Sequence, residues 1–267
     1  MLSNPLLFLS YDFGVRALLA SLLSGFVCSA VGSYVVLRKM SFAGAGLSHV
    51  AFAGVAFGFL VGVSPLLSAF LFTLIAASII WFLSQRGLHF DVGMGVLFAT
   101  SMALAVLFLS LSNTYGASVL SYLFGSPLAV DGQDLLTLLL LSLIVSLFFA
   151  FFWREIYLIT FSHEIAKASG YRVELITFLM NLLIASVVTF SLKSVGALLV
   201  FSLLVVPAAS AFKLSKSYTQ YFFLSVTFGV LSGLLGILAS FTLDAPSGAT
   251  ITLVSFLIFL LATLKSQ

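Results

Sequence analysis

A chain of 267 residues with 62% hydrophobic and only 7% charged residues, 29 Phe and a mean hydropathy of +1.27 cannot be a water-soluble globular protein, in which about 25% of residues are charged. The composition is that of an all-α, polytopic integral membrane protein. Its net charge of +3 does not imply nucleic acid, because the basic residues stand singly between apolar runs and form no patch. The excess of Lys and Arg on the cytoplasmic side of membrane proteins explains them better. The single cysteine, Cys28, excludes an internal disulfide, and the first residues lack the basic start and long apolar run of a cleavable signal.

The charges divide the chain into spans. Twenty-one residues without Lys, Arg, Asp or Glu separate Arg16 from Arg38, room for one crossing of about 20 residues at about Phe13–Leu37. Forty-six separate Lys39 from Arg86. They are interrupted at Gly62-Val63-Ser64-Pro65, where glycine and proline punctuate and the pre-proline residue leaves the helical region. Spans are therefore predicted at about Ala45–Val61 and Pro65–Leu83. Thirty-nine separate Asp91 from Asp131. The polar Ser112-Asn113-Thr114-Tyr115-Gly116 leaves one full span there and a remainder, Ala117–Val130, too short to cross and expected to be re-entrant or interfacial with a break at Pro127.

A fifth span fits between Asp134 and Arg154, and four more between Glu174 and Lys193, Lys193 and Lys213, Lys216 and Asp244, and Asp244 and Lys265. The count is about nine, all in one permease-sized domain, 1–267. Helix two is the element whose misreading would make the number even. Pro207 predicts a kink in the seventh span. With Arg38-Lys39 in the cytoplasm, alternation places nine basic residues on that side and only Arg16 and Lys193 opposite, as the positive-inside tendency requires. The N-terminus is then expected outside and the C-terminus inside, in the inner (plasma) membrane.

Two stretches carry the functional signal. The first is Arg38-Lys39 followed by small residues and His49. Ten residues of helix beyond Lys39 amount to about 15 Å, near the middle of a hydrocarbon core about 30 Å thick. An ionisable group at that depth is costly and marks a functional site by default; a histidine bonded to a neighbouring carbonyl is the plainer reading. The second stretch is a polar island, about 154–174, holding seven of the chain's 22 Lys, Arg, Asp, Glu and His residues. Within it Ser162-His163-Glu164-Ile165-Ala166-Lys167-Ala168-Ser169-Gly170 reads as a short helix capped by Ser162 and stopped by Gly170. It is suited either to docking in a groove of a cytoplasmic protein or to lying on the membrane surface.

The order of these features resembles the permease subunits of ATP-binding-cassette importers for zinc, manganese or iron. The resemblance rests on Gly32-Ser33-Tyr34-Val35-Val36-Leu37-Arg38-Lys39-Met40 followed by Ser48-His49 and Gly54. It continues through Tyr122-Leu123-Phe124-Gly125, Ala166 and Gly170, Val195-Gly196-Ala197-Leu198-Leu199-Val200 with Pro207-Ala208-Ala209, and Asp244-Ala245-Pro246-Ser247-Gly248. It implies a fold resembling the type II importer permeases and a homodimeric membrane core. It also implies a separately encoded cytoplasmic ATP-binding subunit docked on Ser162, His163, Glu164, Ala166 and Gly170, and an extracytoplasmic solute-binding protein. No cofactor is expected to be held tightly; a divalent metal ion is the cargo.

His49 is the metal-contacting residue on this resemblance, with Ser48 and Ser41 near enough to assist. Many relatives in the family carry an aspartate one turn before the histidine, where this chain has Ala45. Imidazole suits zinc, copper, iron or nickel better than magnesium or calcium, and weak contact is what a pathway needs; zinc is the expected cargo, with manganese and iron as alternatives. Asp244, Asp131 and Asp134 fall on the outer face, where they can attract a cation or meet the binding protein, or simply cap helices and face water. The chain has no Gly-x-x-x-x-Gly-Lys-Ser/Thr stretch, so ATP hydrolysis is expected elsewhere and the chain itself is not expected to be an enzyme. A stand-alone secondary transporter or channel is the alternative, against which stands the lack of any carboxylate in mid-span.

Overall fold

The computed structural model describes residues 11–112, 122, 125 and 130–265. Among these residues the chain is wholly helical: α1 Asp12–Leu37, α2 Ala43–Val61, α3 Pro65–Gln85, α4 Phe90–Leu111, α5 Gly132–Phe151, α6 Trp153–Phe161, α7 His163–Ala168, α8 Val173–Val195, α9 Ala197–Leu214, α10 Tyr218–Leu243 and α11 Ser247–Lys265. Eight of the described helices are long and apolar enough to cross a membrane. The ninth, α9, has a shorter apolar run, Leu199–Leu214, yet its 18 residues rise about 27 Å.

The element closest to failing as a span is thus α9, not α2, whose 19 residues meet the criterion in full. Gly196, with φ 84° and ψ 159°, breaks the chain between α8 and α9. The helix then runs through Pro207, which has no amide hydrogen for the carbonyl of Leu203. The proposed re-entrant segment, Ala117–Val130, lies outside the described residues apart from Tyr122, Gly125 and Val130.

Local sequence explains most of the boundaries. Pro65 occupies the first turn of α3, where its missing amide costs nothing, and Gly62 closes α2 with φ 76°. The turn after α1 is less usual. The amide of Lys39 donates to the Val36 carbonyl and that of Met40 to the Val35 carbonyl, the paired bonds of a Schellman ending. The left-handed position, φ 57°, is filled by Lys39 instead of glycine. Beyond it the Asp91 carboxylate of α4 accepts a hydrogen bond from the Phe42 amide, 3.3 Å, and covers the start of α2.

Helices α1, α2 and α8 form the centre. At least two thirds of each apolar window is buried, against about a fifth for α4 and α5. Several polar side chains inside this core find partners on neighbouring helices, as a solvent without hydrogen bonds favours. Thr73 and Thr189 share a hydrogen bond of 2.7 Å, the Tyr221 hydroxyl donates to the Ser33 carbonyl at 3.0 Å, and the Ser225 hydroxyl donates to the Ser29 carbonyl at 2.9 Å. The contacts also sort the ends of the bundle. Arg38 reaches the Ile159 carbonyl, and Leu37, Tyr157, Ser215 and Lys216 line one depression, so the basic loops meet at a single end. Lys193 and Asp134 pair at the other.

Small residues let the central helices touch backbone to backbone. A Cβ on Gly32 of α1 would overlap the Leu204 carbonyl of α9, and one on Gly54 of α2 would lie 2.6 Å from the Ala69 Cα of α3. Gly95 of α4 has nothing within 4 Å of where its Cβ would be. Gly32→Ala should therefore cost roughly 1–3 kcal/mol of stability, while Gly95→Ala should be neutral or slightly stabilising. Thermal unfolding in detergent reads both, and equal shifts would contradict the close approach of α1 and α9.

Candidate functional site

His49 sits six residues into α2, about 9 Å along a helix of about 28 Å. It lies nearer the basic end than the mid-depth expected from the sequence, because residues 39–42 form a turn and the helix begins only at Ala43. From Ala43 to Ala56 only Ala45 and His49 are not fully buried. They share one stripe, a single turn apart. The imidazole meets the edge of the Phe98 ring of α4 at 4.4 Å between centroids and 84° between planes, and its Nδ1 is buried with no hydrogen-bond partner.

The plainer expectation, a histidine satisfied by a neighbouring carbonyl, is therefore not met at that nitrogen. Ser48 points elsewhere, buried and donating to the Gly44 carbonyl at 2.6 Å, and Ser41 is exposed in the turn two helical turns away. Among the described residues no three His, Cys, Asp or Glu side chains come together as a metal cluster. One protomer offers a cation a single nitrogen and little else.

At the basic end the short helix is where the residue pattern puts it. The Ser162 hydroxyl accepts the Ile165 amide hydrogen at 3.3 Å, α7 runs to Ala168, and Gly170 turns away with φ 83°. Its two faces differ from the expectation in one respect. Glu164 and Ile165 are exposed, but Ala166 is fully buried within the protomer. Ala166 thus seats the helix on its own bundle and offers no surface to a second protein. His163 faces inward, toward a cavity shared with Arg38. The stretch from Trp153 to Phe161, read from the sequence as part of a polar loop, is the helix α6. Its Ile156 and Ile159 are buried while Tyr157 and Phe161 are exposed.

At the opposite end the acidic residues have structural partners. Asp131 and Asp134 form a capping box, each side chain accepting the other's amide hydrogen at 2.8 and 3.1 Å. Lys193 reaches across from α8 to Asp134 at 2.7 Å and to Asp131 at 3.6 Å. Asp244 is exposed and ends α10 in the left-handed conformation, φ 51°; it does not cap the helix that follows. An open, mostly apolar groove of about 950 Å³ lies between α9 and the start of α11, with Phe201, Ser202, Val206, Pro246 and Thr252 in its walls. His49 is not on it, so the structure leaves the predicted inner and outer residues in separate places.

Residues 10–266 match the model of the ABC 3 transport family. The chain belongs to that family. It is similar to the manganese transport system membrane protein MntC of Halalkalibacterium halodurans, with 34% identity over 255 residues, 95% of this chain and 87% of that protein. It is also similar to the high-affinity zinc uptake system membrane protein ZnuB of Haemophilus influenzae, with 29% identity over 252 residues, 94% of this chain and 97% of that protein. Among solved structures, PsaBC from Streptococcus pneumoniae in complex with Fab superposes with a TM-score of 0.87 at 28% identity, covering 98% of this chain and 95% of that one. The chain is a multi-pass ABC 3 family permease.

Within this permease, sequence reading missed the long-range uses of charge, among them Arg38 on the Ile159 carbonyl and two carboxylate contacts. Lys193 is 59 residues from its partner Asp134, and Asp91 is 49 residues from the amide it covers. The first had a signal, since Lys193 was one of two basic residues assigned to the outer face, where Asp131 and Asp134 were also placed. The Asp131 carboxyl is held below the usual carboxylate range, first because it accepts the Asp134 amide hydrogen and with help from the Lys193 charge. A carboxylate with a depressed folded value stabilises above its unfolded pKa, about 3.9, and loses that stability as pH falls through the folded value. The cap should thus hold at neutral pH and weaken only in acid below about pH 4. Asp131→Ala should cost about 1 kcal/mol at neutral pH, with Asp131→Asn nearer wild type; chemical unfolding in detergent measures the difference.

Proposed function

We propose that this permease carries a divalent transition-metal ion inward, manganese, zinc or iron, as the membrane-spanning subunit of an ATP-driven importer. The observation that carries the reading is the His49 Nδ1, buried and unpartnered on the one open stripe of a central helix, in a chain whose relatives are named for manganese and zinc transport. A neutral imidazole is a ligand for such ions and a poor one for magnesium or calcium. With Ala45 one turn away in place of a carboxylate, each copy contributes one strong ligand. Two copies facing each other would hold the ion briefly by two imidazoles, and weak holding favours release.

The sequence reading names zinc first, with manganese and iron beside it. Manganese and zinc relatives match over equal shares of the chain, so zinc has no advantage from them. All eight carboxylates lie at helix ends or in turns: Asp12, Asp91, Asp131, Asp134, Glu155, Glu164, Glu174 and Asp244. That distribution supports an externally powered permease over a proton- or sodium-coupled carrier. The power would come from a separate ATP-binding subunit docked on the exposed face of α6 and α7, with an extracytoplasmic binding protein delivering the ion.

Two experiments test this. In cells expressing the complete transporter, His49→Ala should cut accumulation of radioactive manganese, zinc or iron about tenfold, the loss of one strong ligand contact, at unchanged membrane abundance. Undiminished uptake would remove His49 from the path. On the loop helix, Ile165→Asp should abolish permease-dependent stimulation of the ATPase without lowering abundance, whereas Ala166→Leu should lower abundance itself, because position 166 has no room. Stimulation surviving Ile165→Asp would place the docking surface elsewhere.

A further inference from the structure

Eleven buried side-chain nitrogen or oxygen atoms among the described residues lack a hydrogen-bond partner, and five of them line a single cavity: Arg38 Nε, Trp81 Nε1, Ser84 Oγ, Thr177 Oγ1 and Asn181 Oδ1. The cavity, about 270 Å³, lies at the basic end between the last turn of α1, the last turns of α3 and the first turns of α8, with His163 of α7 in its wall. Asn181 is only 4% exposed and Thr177 8%. Unpaired polar atoms are rare and costly in folded proteins and more so next to lipid. The Tyr34 hydroxyl lies beside two of these groups, Arg38 and Thr177, so the Trp81 N–H and the Ser84 hydroxyl, together with the guanidinium, are what call for an occupant.

The chemistry of the wall selects the occupant's charge. Arg38 brings a permanent cation, no Asp or Glu lines the cavity, and Arg38 forms no ion pair among the described residues. One guanidinium nitrogen, Nη1, is fixed by the Ile159 carbonyl at 3.3 Å, which orients the group and leaves Nε without a partner. The indole N–H of Trp81 and the hydroxyls of Ser84 and Thr177 add donors around it, while the Asn181 Oδ1 only accepts and is suited to a water beside the anion. A metal ion is disfavoured by the guanidinium and by the lack of any carboxylate. Water would satisfy the hydroxyls and solvate the half-buried guanidinium without neutralising it.

We propose that this cavity binds a phosphate-class oxyanion, either free inorganic phosphate or the phosphate of a phospholipid headgroup, with Arg38 as its charge partner and Trp81, Ser84 and Thr177 as donors. A tetrahedral anion with a few waters fits the volume, and an arginine with hydroxyl and indole donors is a strong arrangement for such oxygens. The bound anion joins α1, α3, α8 and the loop helix through His163 and so braces the loop against the bundle. The inference is independent of which ion the permease carries.

The full-length chain purified in mild detergent provides the test, by native mass spectrometry and by thermal unfolding across a titration of inorganic phosphate with chloride matching the ionic strength. A retained phospholipid that is lost in the Ser84→Ala, Thr177→Val double variant assigns the site to a headgroup. No retained lipid, with a saturable phosphate-dependent rise in unfolding temperature whose half-point moves about tenfold or more in the double variant, the effect of losing a charge-assisted hydrogen bond, assigns it to free phosphate. Arg38→Gln should abolish either signal. The double variant removes no charge and tests the site should Arg38→Gln fail to insert. Neither lipid retention nor a phosphate-dependent shift in the wild type, or signals of equal size in the double variant, overturns the proposal.

Discussion

The backbone contact between α1 and its neighbours is what the remaining architecture depends on. Gly32 puts the α1 surface against the Leu204 carbonyl, and Gly25 and Gly229 bring α1 and α10 to within a Cβ's width of each other. Helices that pack this closely fix one another's rotation, because a small shift makes atoms overlap. With α1 held, the direction of its last turn is held, and so are the Arg38 side chain and the Lys39 turn that aims α2. The place of His49 follows from a series of small residues many turns away.

Length and polarity made most of the spans legible. Boundaries set by a single local cause, such as Pro65, Gly62, Ser162 and Gly170, fall where those residues put them. The differences arise where tertiary contacts decide. The start of α2 at Ala43 lies within two residues of the expected Ala45, but the left-handed Lys39 turn before it, which no pattern of hydrophobic residues announces, is not the helix assumed in placing His49. A polar composition concealed α6, because its two buried isoleucines are spaced three apart among charges and the helix is only nine residues long. The inward orientation of Ala166 could not be read from composition either: a small residue in a charged helix is compatible with either face until the bundle beneath it is known.

At the site itself, the sequence identified the imidazole and the structure supplied its environment. Burial, the Phe98 edge and the free Nδ1 depend on α4, 49 residues away at Phe98, and no local window contains them. The two ends of the molecule treat charge differently. On the outer side the acidic residues are satisfied by a lysine and by a helix terminus, so they are largely committed to structure. On the inner side the basic residues are mostly unpaired, and their fields are open to lipid and partners. Such an asymmetry suits a protein that must hold one orientation in the membrane.

The carboxylate of Asp91 on the Phe42 amide, together with the His49 and Phe98 rings and the Met94 side chain against Gly46, has a mechanical consequence. Helices α2 and α4 are fastened at three levels along their shared length, and sliding one past the other would break all three fastenings at once. Whatever rearrangement passes the cargo inward must therefore displace the pair as a single lever.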